Sequence, residues 1–213
     1  GSALSGQSKA GIPLATTHLH RRIRESLQAN GLQQVTSLTL SNEVDQFAKI
    51  RYQASTAVTG IHNPITVDHT ILRQSITPSL LNLLAANRHH ELPQRVYELG
   101  TVVRDHHNAD RVGWACAEVG TGFTAAKGMA EALLRDLGAF SQEYAVSYEP
   151  LTEADGGPYL EGRGAKVIVE GEWVGCCGEI DPYVSELFGL KVPVHCGEFD
   201  VEALSRLIPD PIL

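Results

Sequence analysis

The chain has 213 residues, 43% of them apolar and 20% charged, and a formal net charge of −8; that size supports one α/β or α+β core, and the composition excludes disordered, fibrous and disulfide-dense classes. No run approaches the apolar length that crosses a bilayer, and residues 1–11 hold no signal-peptide apolar stretch. The charge is uneven: residues 1–111 carry 11 Lys/Arg against 8 Asp/Glu and residues 112–213 carry 6 against 17, an acidity that repels phosphate backbones and argues against a main nucleic-acid grip there.

Gly1-Ser2 reads as a cloning scar, so residues 1–11 are expected to be a tag or linker remnant and 12–213 a single core domain. Thr16 or Thr17 caps a predicted helix to Asn30, with Leu19, Ile23 and Leu27 on one face and Gly31 as the stop. A long strand is predicted over Leu32–Leu40, a short polar helix from Ser41-Asn42 to Ile50, and a brief strand over Ala57–Ile61. Thr77-Pro78 forms a cap and first-turn pair for a leucine-bearing helix to His89. Paired strands follow at Arg95–Arg104 and Gly113–Val119, joined by a polar loop Asp105–Arg111. Thr124 is the predicted cap of a helix that turns Met129, Leu133, Leu134 and Leu137 inward and ends at Gly138. Strands are then expected at Tyr144–Tyr148, Ala165–Glu170, Glu172–Ile180 and His195–Phe199, with short helices capped by Asp181 and Asp200. Strands joined directly, without regular βαβ alternation, predict an α+β domain on an antiparallel sheet.

Motif chemistry is sparse. No GxGxxG or GxxxxGK[ST] loop supports a nucleotide site of the Rossmann or P-loop kind. Gly120-Thr121-Gly122 reads as an anion seat at a helix N-terminus or as a plain strand-to-helix turn, and turn chemistry favours the second. Neighbours on a helix diverge by about 100°, so His89-His90 and His106-His107 read as solvated histidines, not metal ligands. Glu179 and Asp181 flank a strand-to-helix corner where paired acids hold Mg²⁺ in some proteins; Asp181 as the cap of the next helix is the preferred reading. Nothing resembling GxSxG supports a serine nucleophile. The four cysteines lack CxxC spacing, and adjacent Cys176 and Cys177 project to opposite faces of a strand, which suits a reduced, cytoplasmic protein.

Four blocks taken together are more specific. "NPITVDHTILRQSITPSLLNLLAANRHHELPQRVYELGTVV" (Asn63–Val103) resembles the core module of phenylalanyl-tRNA synthetase β chains: an Asn-Pro turn, Leu-Arg-x-Ser before a Pro-initiated leucine-rich helix, then Phe/Tyr-Glu-x-Gly in a strand. "NGLQQVTSLTLSN" (Asn30–Asn42), "KGMAEALLRDLG" (Lys127–Gly138) and "GRGAKV…EWVGCCGEIDPYVSELFGL" (Gly162–Leu190) stand in the family's order, and "ELPQ" before Arg95 points to its archaeal/eukaryotic branch. The resemblance implies a class II synthetase-like antiparallel sheet flanked by helices. It also implies an (αβ)₂ heterotetramer in which the α subunit carries the active site and uses ATP and Mg²⁺, while tRNA-Phe engages the whole complex. No cofactor, catalytic residue or membrane contact is expected of this domain itself.

Within the resemblance, Arg104 stands about where catalytic chains place their first ATP-contacting arginine, a vestigial ATP-site candidate. The motif 3-like region is His195–Leu204, and it offers Glu202-Ala203 where a catalytic chain has Glu-Arg. Losing that arginine removes a charge-stabilising donor, so the domain reads as a degenerate catalytic fold kept for assembly. The alternative is a stand-alone ATP-using, adenylate-forming paralogue working through Arg104. The family's seam uses the first helix and the following strand, which makes Arg24, Gln28, Leu38 and Leu40 the subunit-interface candidates.

Overall fold

A computed structural model of the chain describes residues 17–139 and 144–208. The proposed remnant at 1–11 and the alternative cap Thr16 lie outside the described residues. Helix α1 (17–29) buries Leu19, Ile23 and Leu27, the predicted stripe. Gly31 ends it at φ +86°. Leu32 N donates to Leu27 O and Gly31 N to Gln28 O, the paired bonds of a Schellman stop.

The strand predicted over Leu32–Leu40 is broken in two. Strand β1 is only Gln33–Gln34, and Val35 N makes one further bond to Tyr97 O. At Ser37 the backbone N and the hydroxyl both donate to the Glu98 carboxylate. A side chain has captured the donor that a ladder needs, so pairing stops there. Strand β2 (Leu40–Ser41) pairs with β3 (Ile71–Leu72) in a separate two-stranded sheet. The predicted strand at Ala57–Ile61 is reduced to one bridge, Gly60 to Ile71. The polar helix after Asn42 is a single π-helical segment, Val44–Ala48, entered through Asp45 N donating to Asn42 Oδ1 at 2.8 Å.

Helix α2 spans Thr77–Ala86, shorter than predicted. Thr77 is not its side-chain cap: Ile76 N and Thr77 N both donate to Glu198 Oε1 at 2.8 Å, so a distant strand supplies the acceptor. Strands β4 (Gln94–Arg104) and β5 (His107–Ala117) form a hairpin in register from Gln94↔Ala117 to Arg104↔His107. The predicted loop Asp105–Arg111 is therefore a two-residue turn. Asp105 and His106 both adopt positive φ, +51° and +62°, the twist that matches a hairpin.

Helix α3 (Phe123–Asp136) starts from Gly122 with no side-chain cap, so Thr124 lies inside the first turn. Leu133, Leu134 and Leu137 are buried, with Met129 packed at the margin. Strand β6 is Val146–Pro150, two residues later than predicted, and β7 is Tyr159–Val169, longer than predicted. Strand β8 (Glu172–Ile180), helix α4 (Pro182–Leu187), strand β9 (Val194–Asp200) and helix α5 (Val201–Leu207) agree closely with expectation. Asp181 accepts from Tyr183 N and Asp200 from Ala203 N, both as predicted caps.

The seven strands order as β1-β4-β5-β9-β8-β7-β6, antiparallel at every pair except β1 with β4. Alternation along these strands builds two cores. One face packs α1, α3 and α5 around Trp114, Phe199 and Leu133; the other packs α2 and α4 around Ile76, Leu80 and Val184. Cys176 and Cys177 fall in opposite cores, as the period of two requires. A Cβ at Gly197 would lie 2.1 Å from the Trp114 ring, so this strand position admits only glycine.

Candidate functional site

On the α2 face of the sheet lies a cleft of about 710 Å³ whose lining includes Arg104, Arg111, Glu198, Asp200, Tyr52 and Trp173. Strand register assembles its floor: Arg111 on β5 pairs with Asp200 on β9, and Glu198 on β9 pairs with Cys176 on β8. Arg104 ends β4 and enters the same space. The motif 2-like hairpin and the motif 3-like strand therefore meet here.

Glu198 is saturated. Its Oε1 accepts from Ile76 N, Thr77 N and Thr77 Oγ1 at 2.8–2.9 Å, and its Oε2 accepts from Arg111 Nε. Burial pushes this carboxyl up, but Arg111 and the Thr77 donors outweigh it and hold the group below its ordinary value. Burial lowers Arg111, and contact with Glu198 more than restores it. Arg104 has no such carboxylate partner. Its Nε donates to Gln74 O at 3.0 Å, and burial followed by the nearby Arg111 charge lowers its pKa. Tyr52 Oη and Tyr159 Oη both contact Cys176 Sγ, at 3.6 and 3.5 Å, and burial raises all three groups.

The charges of the cleft nearly cancel, with one carboxylate in excess. Three lining arginines face four lining carboxylates, and Arg51 and Asp155 are already paired with Asp181 and Lys166. A triphosphate with Mg²⁺ needs several uncommitted donors and a carboxylate free to hold the metal; these residues do not fit one. Ala203, the motif 3-like alanine, packs in the core on the opposite face of the sheet and does not line the cleft.

The other predicted site residues lie elsewhere. Arg24 and Gln28 sit on α1, whose buried stripe packs on the opposite face; Arg24 is half-buried, and Gln28 is exposed with its Nε2 donating to Tyr97 Oη at 2.9 Å. Leu38 is 61% exposed in the segment after β1, and Leu40 is half-buried on β2. Thr121 Oγ1 contacts His195 Nδ1 at 3.2 Å and Thr121 N donates to Glu118 O, the turn reading of that glycine pair. The histidines at 89, 90, 106 and 107 are exposed, and no group of three His/Cys/Asp/Glu among the described residues is placed to hold a metal ion. Sequence reasoning missed Arg111, Glu198 and Asp200 as cleft residues. Glu198 carried a signal, a lone carboxylate inside the apolar strand Val194–Phe199.

The fold is shared with a pyrrolysyl tRNA synthetase of Desulfitobacterium hafniense, at a TM-score of 0.68 and 17% identity over 89% of this chain and 65% of that one. At that identity the likeness establishes the class II synthetase-like fold alone. Sequence relatives are nearer. The chain is 37% identical over 189 residues to the phenylalanine–tRNA ligase β subunit of Methanopyrus kandleri, covering 85% of this chain and 31% of that protein. It is 36% identical over 191 residues to that of Pyrococcus horikoshii, covering 86% and 33%, and 33% identical over 182 residues to that of Archaeoglobus fulgidus, covering 84% and 32%. The chain thus spans about a third of the length of the curated relatives it matches. The family described as phenylalanyl tRNA synthetase beta chain CLM domain matches residues 3–201, and the chain belongs to that family.

Proposed function

We propose that the chain is the non-catalytic, class II-like module of a phenylalanine–tRNA ligase β subunit, and that it supports the catalytic α subunit within an (αβ)₂ heterotetramer. On this reading the α subunit attaches phenylalanine to tRNA-Phe with ATP and Mg²⁺, the whole complex engages tRNA, and the assembly is cytoplasmic. The observation that carries the reading is the self-neutralised cleft, in which Glu198 is saturated by Thr77, Ile76 and Arg111. A stand-alone adenylate-forming enzyme needs fixed donors for charge developing on a triphosphate, and Arg104 alone does not supply them.

Two surfaces support an assembly role. Arg24 and Gln28 present a polar edge beside the buried stripe of α1. Leu38 is 61% exposed, and Val44 at 56% and Val67 at 83% line one groove together with Leu40 of the small sheet; exposed apolar residues mark contact surfaces when they cluster. Among the described residues no helix is long and apolar enough to cross a membrane. The test is phenylalanine- and ATP-dependent pyrophosphate exchange by this chain alone and with the α subunit added. Exchange is expected only with the α subunit; robust exchange from the purified chain alone overturns the reading in favour of the adenylate-forming alternative.

A further inference from the structure

We propose that the cleft binds one oxyanion of a small aromatic molecule, a carboxylate or phosphate monoester gripped by the Arg104 fork, with the ring lying among the aromatic side chains that line the same space. This goes beyond the assembly role and does not depend on it.

Most charged groups of the cleft are already committed. Arg111 is held by Glu198, Arg51 by Asp181 and Asp155 by Lys166. Asp200 spends one oxygen on the α5 N-terminus. Arg104 is different: only its Nε is engaged, by the Gln74 carbonyl at 3.0 Å, and its two terminal amines donate to no acceptor among the described residues. A planar guanidinium fixed through Nε presents those amines as a rigid fork that matches an oxyanion in two parallel bonds. Arg104 is half-buried, and burial with the nearby Arg111 charge lowers its pKa more than the Glu198 and Asp200 carboxylates raise it, so a further counter-anion is favoured.

Size and walls point the same way. A space of about 710 Å³ is within the range of small-molecule sites. Phe47, Tyr52 and Trp173 line it. Trp173 is 50% exposed, with Lys166 Nζ 4.7 Å from its ring centroid. The charge count sets an upper limit: one uncommitted arginine matches one oxyanion, and the four lining carboxylates repel a polyphosphate.

Trp173 supplies the readout, because the second tryptophan, Trp114, is fully buried in the opposite core. Intrinsic fluorescence of the 213-residue chain is titrated with benzoate, phenyl phosphate and the neutral isostere benzamide. A saturable change is expected with at least one anion, with benzamide weaker by about tenfold or more because it lacks the charge that the fork pairs with. The tighter of the two anions identifies carboxylate or phosphate as the natural group. Arg104→Gln is expected to weaken the anion about tenfold or more, and Arg104→Lys to recover only part of the loss, since a point charge is not a fork. The proposal is overturned if neither anion saturates, if benzamide binds as tightly, or if Arg104→Gln binds like the parent. Should Arg104→Gln fail to fold, the anion-against-benzamide comparison on the parent chain decides alone. Capture of the α subunit by the same variants separates this site from the assembly role, because loss of ligand with capture intact touches the cleft only.

Discussion

Arg73 and Glu98 form a buried ion pair, Nη2 to Oε2 at 2.8 Å and Nη1 to Oε1 at 3.4 Å, with side chains 1% and 3% exposed. The arginine belongs to the Leu-Arg-x-Ser segment and the glutamate to Tyr-Glu-x-Gly, so the pair ties together two motifs of the Asn63–Val103 block whose contact the sequence does not display. The remaining donors and acceptors are also used. Arg73 Nε donates to Thr101 O, and Nη1 reaches Ser37 Oγ and Ser79 Oγ at 2.8 and 3.1 Å. Removing one partner leaves the other buried and uncompensated, which costs about 3–5 kcal/mol. Arg73→Met and Glu98→Gln are each expected to lower unfolding free energy by about that amount, and the double replacement with Glu98→Met to recover much of it. Urea denaturation measures both; single-variant losses below about 1 kcal/mol would show that the pair is not what holds these motifs together.

Gly100 is set by the same pair. A Cβ there would stand 2.7 Å from both Arg73 Nη2 and Glu98 Oε2. Gly100→Ala is expected to cost about 1–3 kcal/mol by forcing the fork apart. The same change is expected to be nearly silent once Arg73 and Glu98 have been replaced together, a non-additivity that a double-mutant cycle reads directly.

A second buried group makes stability depend on pH. His195 is 3% exposed, with Nδ1 against Thr121 Oγ1 at 3.2 Å and Nε2 without a partner among the described residues. Burial drives its pKa down to about 4 from 6.5. The folded chain therefore binds fewer protons here than the unfolded chain between those values. Its contribution is complete above pH 6.5 and is lost progressively as pH falls toward 4, by up to about 3 kcal/mol. His195→Gln, which does not titrate, is expected to show a shallower loss of stability than the parent across that window. Parallel curves for the two proteins would remove His195 as the source.

The acidic balance of residues 112–213, 6 Lys/Arg against 17 Asp/Glu, predicts weak intrinsic tRNA affinity. Binding of tRNA-Phe to this chain alone is expected to be far weaker than to the assembled complex, with a shallow dependence on salt. Tight binding with a steep salt slope would require many phosphate contacts and contradict the expectation.

Local chemistry made much of this fold legible, and remote chemistry hid the rest. The α1 stripe, strand β8 and the caps Asp181 and Asp200 rest on periodicity and neighbours within three residues, so the sequence displays them. The breaks in expectation come from side chains far away. Glu98 ends β1 by taking the Ser37 donors from 61 residues off, and Glu198 replaces Thr77 as the α2 cap from 121 residues off. The Asp105-His106 turn escaped because both left-handed residues are non-glycine. Arg104 was visible only through resemblance, and the Arg111–Glu198 pair that neutralises the cleft needed the register of β5 against β9.

The assembly surface proposed on α1 gives the last prediction. Leu19, Ile23 and Leu27 are consumed by this domain's own core, so on the proposed reading a partner is expected at the edge of the stripe, where Arg24 and Gln28 lie. Arg24 makes no hydrogen bond or ion pair among the described residues, and its planar fork and apolar stem suit an interface. Gln28 donates to Tyr97 Oη at 2.9 Å. In Gln28→Glu the phenol hydroxyl can donate in return, so the fold is expected to tolerate the change. Arg24→Glu with Gln28→Glu reverses one charge and adds another, and electrostatic mismatch at a seam costs several kcal/mol. The double variant is therefore expected to melt within a few degrees of the parent while losing most of its capture of the α subunit in a pull-down. An unchanged melt with unchanged capture would move the seam to the Leu38, Val44 and Val67 surface. A collapsed melt would show that Gln28 and Arg24 serve the core through Tyr97.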